Sequence, residues 1–279
     1  MHAVLVTGCS SGIGRATALA LARAGLPTWA SARRTETLGE LASAGCHTVE
    51  LDVTSEESRI NAIRTVEAEH GTVGALVNNA GYAQIGPMET VSLQSLQRQF
   101  DTNVFGLVRL CQLVLPGMRA QHHGSIVNIG SAAGLVTPPA SGAYSMTKYS
   151  LEALSDALRL EVASFGVRVV LIEPGAVRSE FITTGQQTMP TTADDDPYQT
   201  FKANLAAMIQ RTHRPGARGI LDSADVARVV VRAVTANKPK TRYRIGSQAR
   251  LVPRVRHLLG DRLWDSMMTR LVPPQHDRS

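Results

Sequence analysis

The sequence predicts an α/β protein in which a parallel sheet is covered by helices on both faces. Two observations carry that prediction. Short apolar runs of strand type alternate with longer segments of helical period, and no repeat, low-complexity block or linker interrupts the 279 residues. The chain also opens on a strand, a glycine-rich loop and a helix in immediate succession. A chain of this length buries a large core and α/β folds of this size often form one domain.

The elements follow in order. Residues 3 to 7, Ala-Val-Leu-Val-Thr, form the first strand, and Ile13 to Ala24 repeat apolar residues at helical spacing before Gly25 caps the end. Further strands are predicted at Pro27 to Ser31, Cys46 to Leu51, Ala75 to Asn78, Ser125 to Gly130 and Val167 to Glu173. Helices are predicted near Ser55 to Ala68, Ser92 to Met118 and Tyr144 to Ser164. Thr183 to Pro197, rich in Thr and Asp and carrying two prolines, predicts a long loop, either a lid or a disordered excursion. Beyond it, Leu251, Val252, Val255, Leu258 and Leu259 fit one amphipathic helix, and Leu263, Trp264, Met267, Met268 and Leu271 fit a second after Gly260-Asp261. The expected organisation is a catalytic unit over residues 1–239, with 183–197 as its substrate loop, and a basic helical extension of the same domain over 240–279.

Composition narrows the function. The net charge of +6 resides in residues 240–279, which hold nine basic and three acidic side chains, while residues 1–239 balance. Nucleic-acid binding would want a basic face interleaved with aromatics; here apolar residues recur among the arginines instead. Docking on the protein body is the favoured reading of that tail, then a lid over an apolar substrate, then contact with a membrane surface. No apolar stretch reaches the ~18 residues of a membrane-spanning helix, and the first strand starts by Ala3, so neither a leader nor a transmembrane segment is expected. Cys9, Cys46 and Cys111 are odd in number and widely spaced, which suits free thiols in the cytoplasm. The eight histidines are scattered, so no metal site is expected.

Two short segments suggest chemistry. In Ser141-Gly-Ala-Tyr144-Ser-Met-Thr-Lys148 a helix would put the phenol and the ammonium on one face. A free tyrosine titrates near ~10, and a neighbouring cation favours the phenolate, so the pair is expected to exchange a proton with an alcohol or a carbonyl. In Thr7-Gly8-Cys-Ser-Ser11-Gly12-Ile13-Gly14 the three glycines would allow a tight turn, close backbone approach and close helix packing around a pyrophosphate at a helix N-terminus. Taken alone, that loop could also be an ordinary glycine-rich turn.

Taken together, Thr7-Gly8-x-x-x-Gly12-Ile13-Gly14, Leu51-Asp52-Val53, Asn78-Asn79-Ala80-Gly81, Asn103, Ser131, Tyr144-x-x-x-Lys148 and Pro174-Gly175 resemble the short-chain dehydrogenases/reductases in content and order. The resemblance spans roughly residues 3–180, with thirteen positions from Ser131 to Tyr144. The Cys-Ser-Ser loop and Lys238-Pro-Lys-Thr-Arg-Tyr243 look closest to the hydroxysteroid and retinol dehydrogenase branch. What the resemblance implies is a Rossmann-type fold and an oxidoreductase acting on a carbonyl or an alcohol of moderate apolarity. Ser131 would hydrogen-bond the substrate oxygen, and Tyr144 would pass the proton. Lys148 would lower the tyrosine pKa and bind ribose hydroxyls, and Asn103 would hold a water linking Lys148 to solvent. Gly8, Ser11, Gly12, Ile13, Gly14, Asp52, Val53, Asn79, Ala80, Gly81, Pro174, Gly175 and Val177 would border the cofactor. A homodimer or homotetramer through the helices near Ser92 to Met118 and Tyr144 to Ser164 is also implied.

Cofactor choice is readable at the end of the second strand. An acidic side chain there suits the 2′-hydroxyl of NAD, and an arginine suits the 2′-phosphate of NADP. The strand runs Trp29-Ala-Ser-Ala32-Arg33-Arg34, with no carboxylate before Glu36. Arg33, and hence NADP, is expected, with Ser11 as a further hydroxyl for the phosphate. A nonenzymatic dinucleotide sensor on the same fold is the alternative, although it would be free to lose Tyr144, Lys148 or Ser131.

Overall fold

The computed structural model describes residues 3–190, 195–213 and 219–273. β1 (Ala3–Val6) is wholly buried and leads into α1 (Gly12–Arg23), behind which Gly25 turns the chain at φ 77°. β2 (Thr28–Ala32), the short α2 (Gly39–Ser43), β3 (His47–Glu50), α3 (Glu56–His70) and β4 (Val73–Asn78) complete the first half. Ser55 starts α3 by accepting the Ser58 N–H. The second half begins with α4 (Leu93–Phe100), α5 (Gly106–Ala120), β5 (Gly124–Ile129), α6 (Gly142–Val162) and β6 (Val167–Pro174). It ends with β7 (Val177–Arg178), α7 (Glu180–Gln187), α8 (Gln199–His213), β8 (Leu221–Asp222), α9 (Ser223–Thr235), β9 (Arg242–Ile245) and α10 (Gly246–Leu271).

Seven strands pair in parallel in the order β3-β2-β1-β4-β5-β6-β9, and β7 pairs with β8 apart from them. Helices cover both faces. Leu76, Leu110, Met118, Ile126 and Leu151 belong to the core on the α3, α5 and α6 side, while Val6, Leu21, Val77, Val127 and Val230 belong to the core on the α1 and α9 side. Strand order reverses between β1 and β4, which opens a crevice at the carboxyl ends of the strands.

Three expectations change. Residues 240–279 do not begin as a helix, because Arg242–Ile245 join β6 as the seventh strand and so make that segment part of the sheet. The predicted loop from Thr183 is helical as far as Gln187. Thr188 secures its end by donating to the carbonyls of Gly185 and Ala83, and Gly185 lies so close to Ile85 that a Cβ there would sit 3.1 Å from Ile85 Cδ1. Residues 191–194 of that loop, like residues 274–279 of the tail, lie outside the described residues. The tail helices do meet at Gly260, whose φ of 67° and ψ of 177° break the helical path, but Leu251, Leu258, Leu263, Met267 and Leu271 point to solvent rather than onto the body.

The last strand is tied in by charge. Glu173 of β6 has no solvent exposure; Arg244 Nε donates to its Oε2 at 2.8 Å, and Arg242 Nε lies 3.5 Å from its Oε1. Arg242 also bonds Glu152 at 3.2 Å and Asp156 at 2.6 Å on α6. Burial first, and then the neighbouring Glu173, hold the Glu152 carboxyl well above the usual carboxylate range. An acid raised in this way binds more protons folded than unfolded, so its contribution to stability falls as pH rises from the ordinary glutamate range toward neutrality. Arg242 is the counter-charge that limits that loss. Arg242→Met is therefore expected to destabilise the fold by about 3 kcal/mol at mildly alkaline pH, and by less at mildly acidic pH, as measured by urea unfolding at both.

Candidate active site

The crevice between β1 and β4 is held by two side chains. Thr7 Oγ1 accepts the backbone N–H of Asn79 at 3.0 Å and of Ala80 at 2.9 Å, and Asn79 Nδ2 returns bonds to the carbonyls of Thr7 and Gly8 at 2.9 and 3.1 Å. The loop after β1 is pressed against this end of β4. A Cβ on Gly8, which sits at φ 71°, would lie 2.8 Å from Ala80 Cα, and one on Gly14 would collide with the Gly8 carbonyl and lie 2.5 Å from Asn79 Nδ2. These positions therefore demand glycine. Gly12 approaches Ser179 just past Val177, and Gly175 donates its N–H to Ile245 at 2.9 Å. Ser11 precedes α1 with its hydroxyl uncommitted to any helix N–H, so the positive end of α1 opens toward the crevice. Ile13 packs on the core, and Val53 is buried. Asp52 Oδ1 accepts from the Thr54 N–H and hydroxyl at 2.9 and 2.7 Å. The glycine loop and the end of β4 thus form a close-packed, small-residue turn of the kind a dinucleotide pyrophosphate needs.

Arg33 follows β2 directly and is exposed, and among the described residues it makes no ion pair. Arg34 instead lies 3.9 Å from Glu36. A guanidinium thus stands where the second strand ends, and no carboxylate precedes Glu36.

Tyr144 and Lys148 stand one turn apart on α6, and Ser131 lies just past β5. Ser131 stands beside the Tyr144 hydroxyl, close enough to lower its pKa, and its Oγ accepts the Ala133 N–H at 3.1 Å. Lys148 is buried; its Nζ donates to the Ile129 carbonyl at 2.7 Å and lies 5.7 Å from the Tyr144 ring centre. The expected depression of the tyrosine pKa is not found here. Tyr144 is half-buried, and desolvation pushes it up to about 12, against a smaller lowering from Ser131. Burial brings Lys148 down to about 8. Desolvation disfavours both charged forms.

Asn103 sits in a π-helical turn, Asp101–Phe105, between α4 and α5. The wider turn sends its side chain inward, where Nδ2 donates to Tyr82 O at 2.9 Å and to Thr147 Oγ1 at 3.2 Å, and Oδ1 accepts the Tyr82 N–H at 3.1 Å. Gly81 leaves room for it, since a Cβ there would lie 2.9 Å from Asn103 Oδ1. Among the described residues no hydrogen bond joins Asn103 to Lys148. Its visible partners are the segment after β4 and the helix that carries Tyr144.

Sequence reasoning missed several contributors. Thr7, Thr147 and the buried Gln99, which donates to Tyr82 O at 2.6 Å, all shape the site. Thr7 could have been found from its place ahead of Gly8; the other two show only in three dimensions. The open cleft beside Gly142, of about 740 Å³, was also unseen: Met88, Pro138, Pro139, Phe201, Trp264 and Met268 line it. Space also groups residues that sequence spacing kept apart, for ligand atoms of His47, Glu69 and His70 lie within 4.8 Å of one another. His47 begins β3, so this group stands at the opposite end of the sheet from Ser131 and Tyr144.

Comparison with known proteins agrees with this geometry. Residues 2–190 match the family model described as short chain dehydrogenase. The chain is 36% identical over 266 residues to "Uncharacterized oxidoreductase YbbO" of Escherichia coli strain K12, covering 95% of this chain and 93% of that one. It is 33% identical to the "NADPH-dependent 3-dehydrocapnine reductase" of Ornithobacterium rhinotracheale, covering 96% of each, and 33% identical to "Retinol dehydrogenase 8" of Homo sapiens, covering 86% of this chain and 79% of that one. A crystal structure of a short-chain dehydrogenase from Streptomyces avermitilis is similar with a TM-score of 0.78 and 36% identity, over 97% of this chain and 94% of that one. A seven-stranded parallel sheet, a glycine cradle at its switch point and a Ser-Tyr-Lys group beside it are thus joined by relatedness along nearly the whole chain, which belongs to the short-chain dehydrogenase family of oxidoreductases.

Proposed function

We propose that the protein interconverts a ketone or aldehyde with the corresponding alcohol, using NADP(H) in preference to NAD(H), on a substrate of moderate apolarity. The observation that carries this reading is the grouping of Ser131, Tyr144 and Lys148, with Lys148 Nζ 5.7 Å from the Tyr144 ring centre, beside the apolar cleft that Gly142 lines. When bound, the nicotinamide supplies or accepts the hydride. The chain's own residues do the rest. With a pKa near 12, Tyr144 is protonated at neutral pH and can donate its proton to a developing alkoxide. Ser131 steers the substrate oxygen. Lys148, titrating near 8, remains largely charged at neutrality; with one N–H on Ile129 it has others for ribose hydroxyls, and its charge favours the phenolate left after proton donation. Asn103 positions α6 through Thr147 and anchors the segment after β4; a water on its carbonyl side would extend the path from Lys148.

Gly8, Ser11, Gly12, Ile13 and Gly14 would hold the pyrophosphate. Asp52, Val53, Asn79, Ala80, Gly81, Pro174, Gly175 and Val177 would border the remainder, and Arg33 would meet the 2′-phosphate. The name of the 3-dehydrocapnine reductase, which includes NADPH, supports that choice. Met88, Trp264 and Met268 around the cleft favour an apolar substrate body.

Assembly belongs to the same reading. Leu93, Phe105, Met146 and Tyr149 are exposed on α4, the π-turn and α6, and a shallow groove runs between Phe100 and Met146. We assign this face to a two-fold contact with a second copy.

Three outcomes are expected. Tyr144→Phe should abolish nicotinamide-linked turnover and leave cofactor binding intact; near-native turnover would remove Tyr144 from the proton step. Arg33→Ala should weaken NADPH by roughly ten- to a hundredfold, the worth of a charge-assisted hydrogen bond, with little change for NADH by titration. Sedimentation at micromolar concentration should show a dimer or larger species, and a purely 29.9 kDa species would count against the two-fold contact.

A further inference from the structure

The unpartnered apolar face of α10 has a stated chemistry around it. Of the eleven large apolar side chains exposed among the described residues, five lie on this helix: Leu251, Leu258, Leu263, Met267 and Leu271. In its second half the side chains sort into two stripes at helical spacing. Trp264, Met268 and Val272 turn inward, with Trp264 and Met268 lining the cleft, while Leu263, Met267 and Leu271 occupy the adjoining stripe in solvent. One helix therefore forms part of the cleft wall and an exposed apolar ridge.

Its charge is just as uneven. Arg242 and Arg244 are spent on Glu152, Asp156 and Glu173, and Arg256 pairs with Asp261. Arg250, Arg254, Arg262 and Arg270 are exposed and form no ion pair among the described residues. Four such arginines against Asp265, the single carboxylate of the helix unpaired among the described residues, make a second copy a poor electrostatic match for this face. An anionic headgroup layer complements them, and acyl chains complement the leucines. No described helix is long and apolar enough to cross a membrane, so the contact would be peripheral.

We propose that α10 lies on an anionic lipid surface and admits a lipid-soluble carbonyl or alcohol from that surface into the cleft behind Trp264. The substrate part rests on the oxidoreductase reading above; the lipid contact does not. Each arginine near an anionic surface tightens binding about fivefold, so the contact should be lost as salt rises.

The test uses the full chain and vesicles of equal parts phosphatidylglycerol and phosphatidylcholine, floated at low and high salt, beside the double variant Leu258→Glu/Leu263→Glu. Neither leucine lines the cleft, and thermal unfolding checks that the variant folds. Turnover is followed with a small soluble ketone and with a long-chain ketone dissolved in the vesicles. The expected result is flotation at low salt only, lost in the variant, with soluble turnover kept and vesicle turnover reduced about tenfold or more. Absence of flotation, flotation unaffected by salt and by the variant, or unchanged vesicle turnover in a non-floating variant would each overturn the proposal. Self-association that the variant abolishes, without flotation, would assign the face to a second copy and overturn it likewise. Salt-sensitive flotation of a protein that turns over neither ketone would support the lipid contact while removing the redox reading.

Discussion

One hydroxyl group organises the crevice. Thr7 Oγ1 accepts two successive N–H groups at the end of β4, and Asn79 answers with its side-chain amide to the carbonyls that follow β1. At the switch point of a parallel sheet the two central strands send their chains to opposite faces, so nothing in the strand ladder itself closes the gap beyond their ends. Thr7 and Asn79 close it with side-chain bonds. The glycine loop can then lie flat against Ala80 and Asn79, and α1 begins where its free N–H groups face the crevice. Loss of that bridge would spare the sheet and blur everything above it.

The same division explains how the candidate catalytic group is held. Ser131 leaves the end of β5, Lys148 reaches back to the last carbonyl of that strand, and Asn103 ties α6 to the segment after β4. Lys148 and Asn103 are therefore fixed to a neighbouring element as well as to their own. Burial sets their protonation: enclosure keeps the phenol neutral and strips much of the ammonium's affinity for its proton. A cation one turn away does not suffice to make a phenolate where burial penalises both charges.

Much of this was legible in the residues. The strand, glycine loop and helix at the start, the Tyr144 and Lys148 pair and the strands up to Val167 are written in local period and spacing, because neighbours in sequence decide them. What escaped depends on distant partners. Arg242–Ile245 reads as part of a basic tail until Glu173, some seventy residues earlier, gives its arginines a reason to face inward. Helix α7 hides in a polar run because its packing is against Ala83 and Ile85, and His47 meets Glu69 and His70 only when β3 and α3 fold together. The five solvent-facing side chains of α10 escaped for the opposite reason. Amphipathic spacing tells which face is apolar, but not whether the body has room to cover it.

The π-turn at Asp101–Phe105 has a further consequence. Such a turn is equivalent to one residue inserted into a regular helix, and the insertion turns all that follows by about 100°. Deleting a single residue there would give a straighter and locally more regular helix, with better backbone hydrogen bonds, yet Asn103 would leave Tyr82 and the apolar face of α5 would rotate off Leu76 and Ile126. The irregularity is thus a phase marker: it lets one helix serve a polar site with its first half and a core with its second.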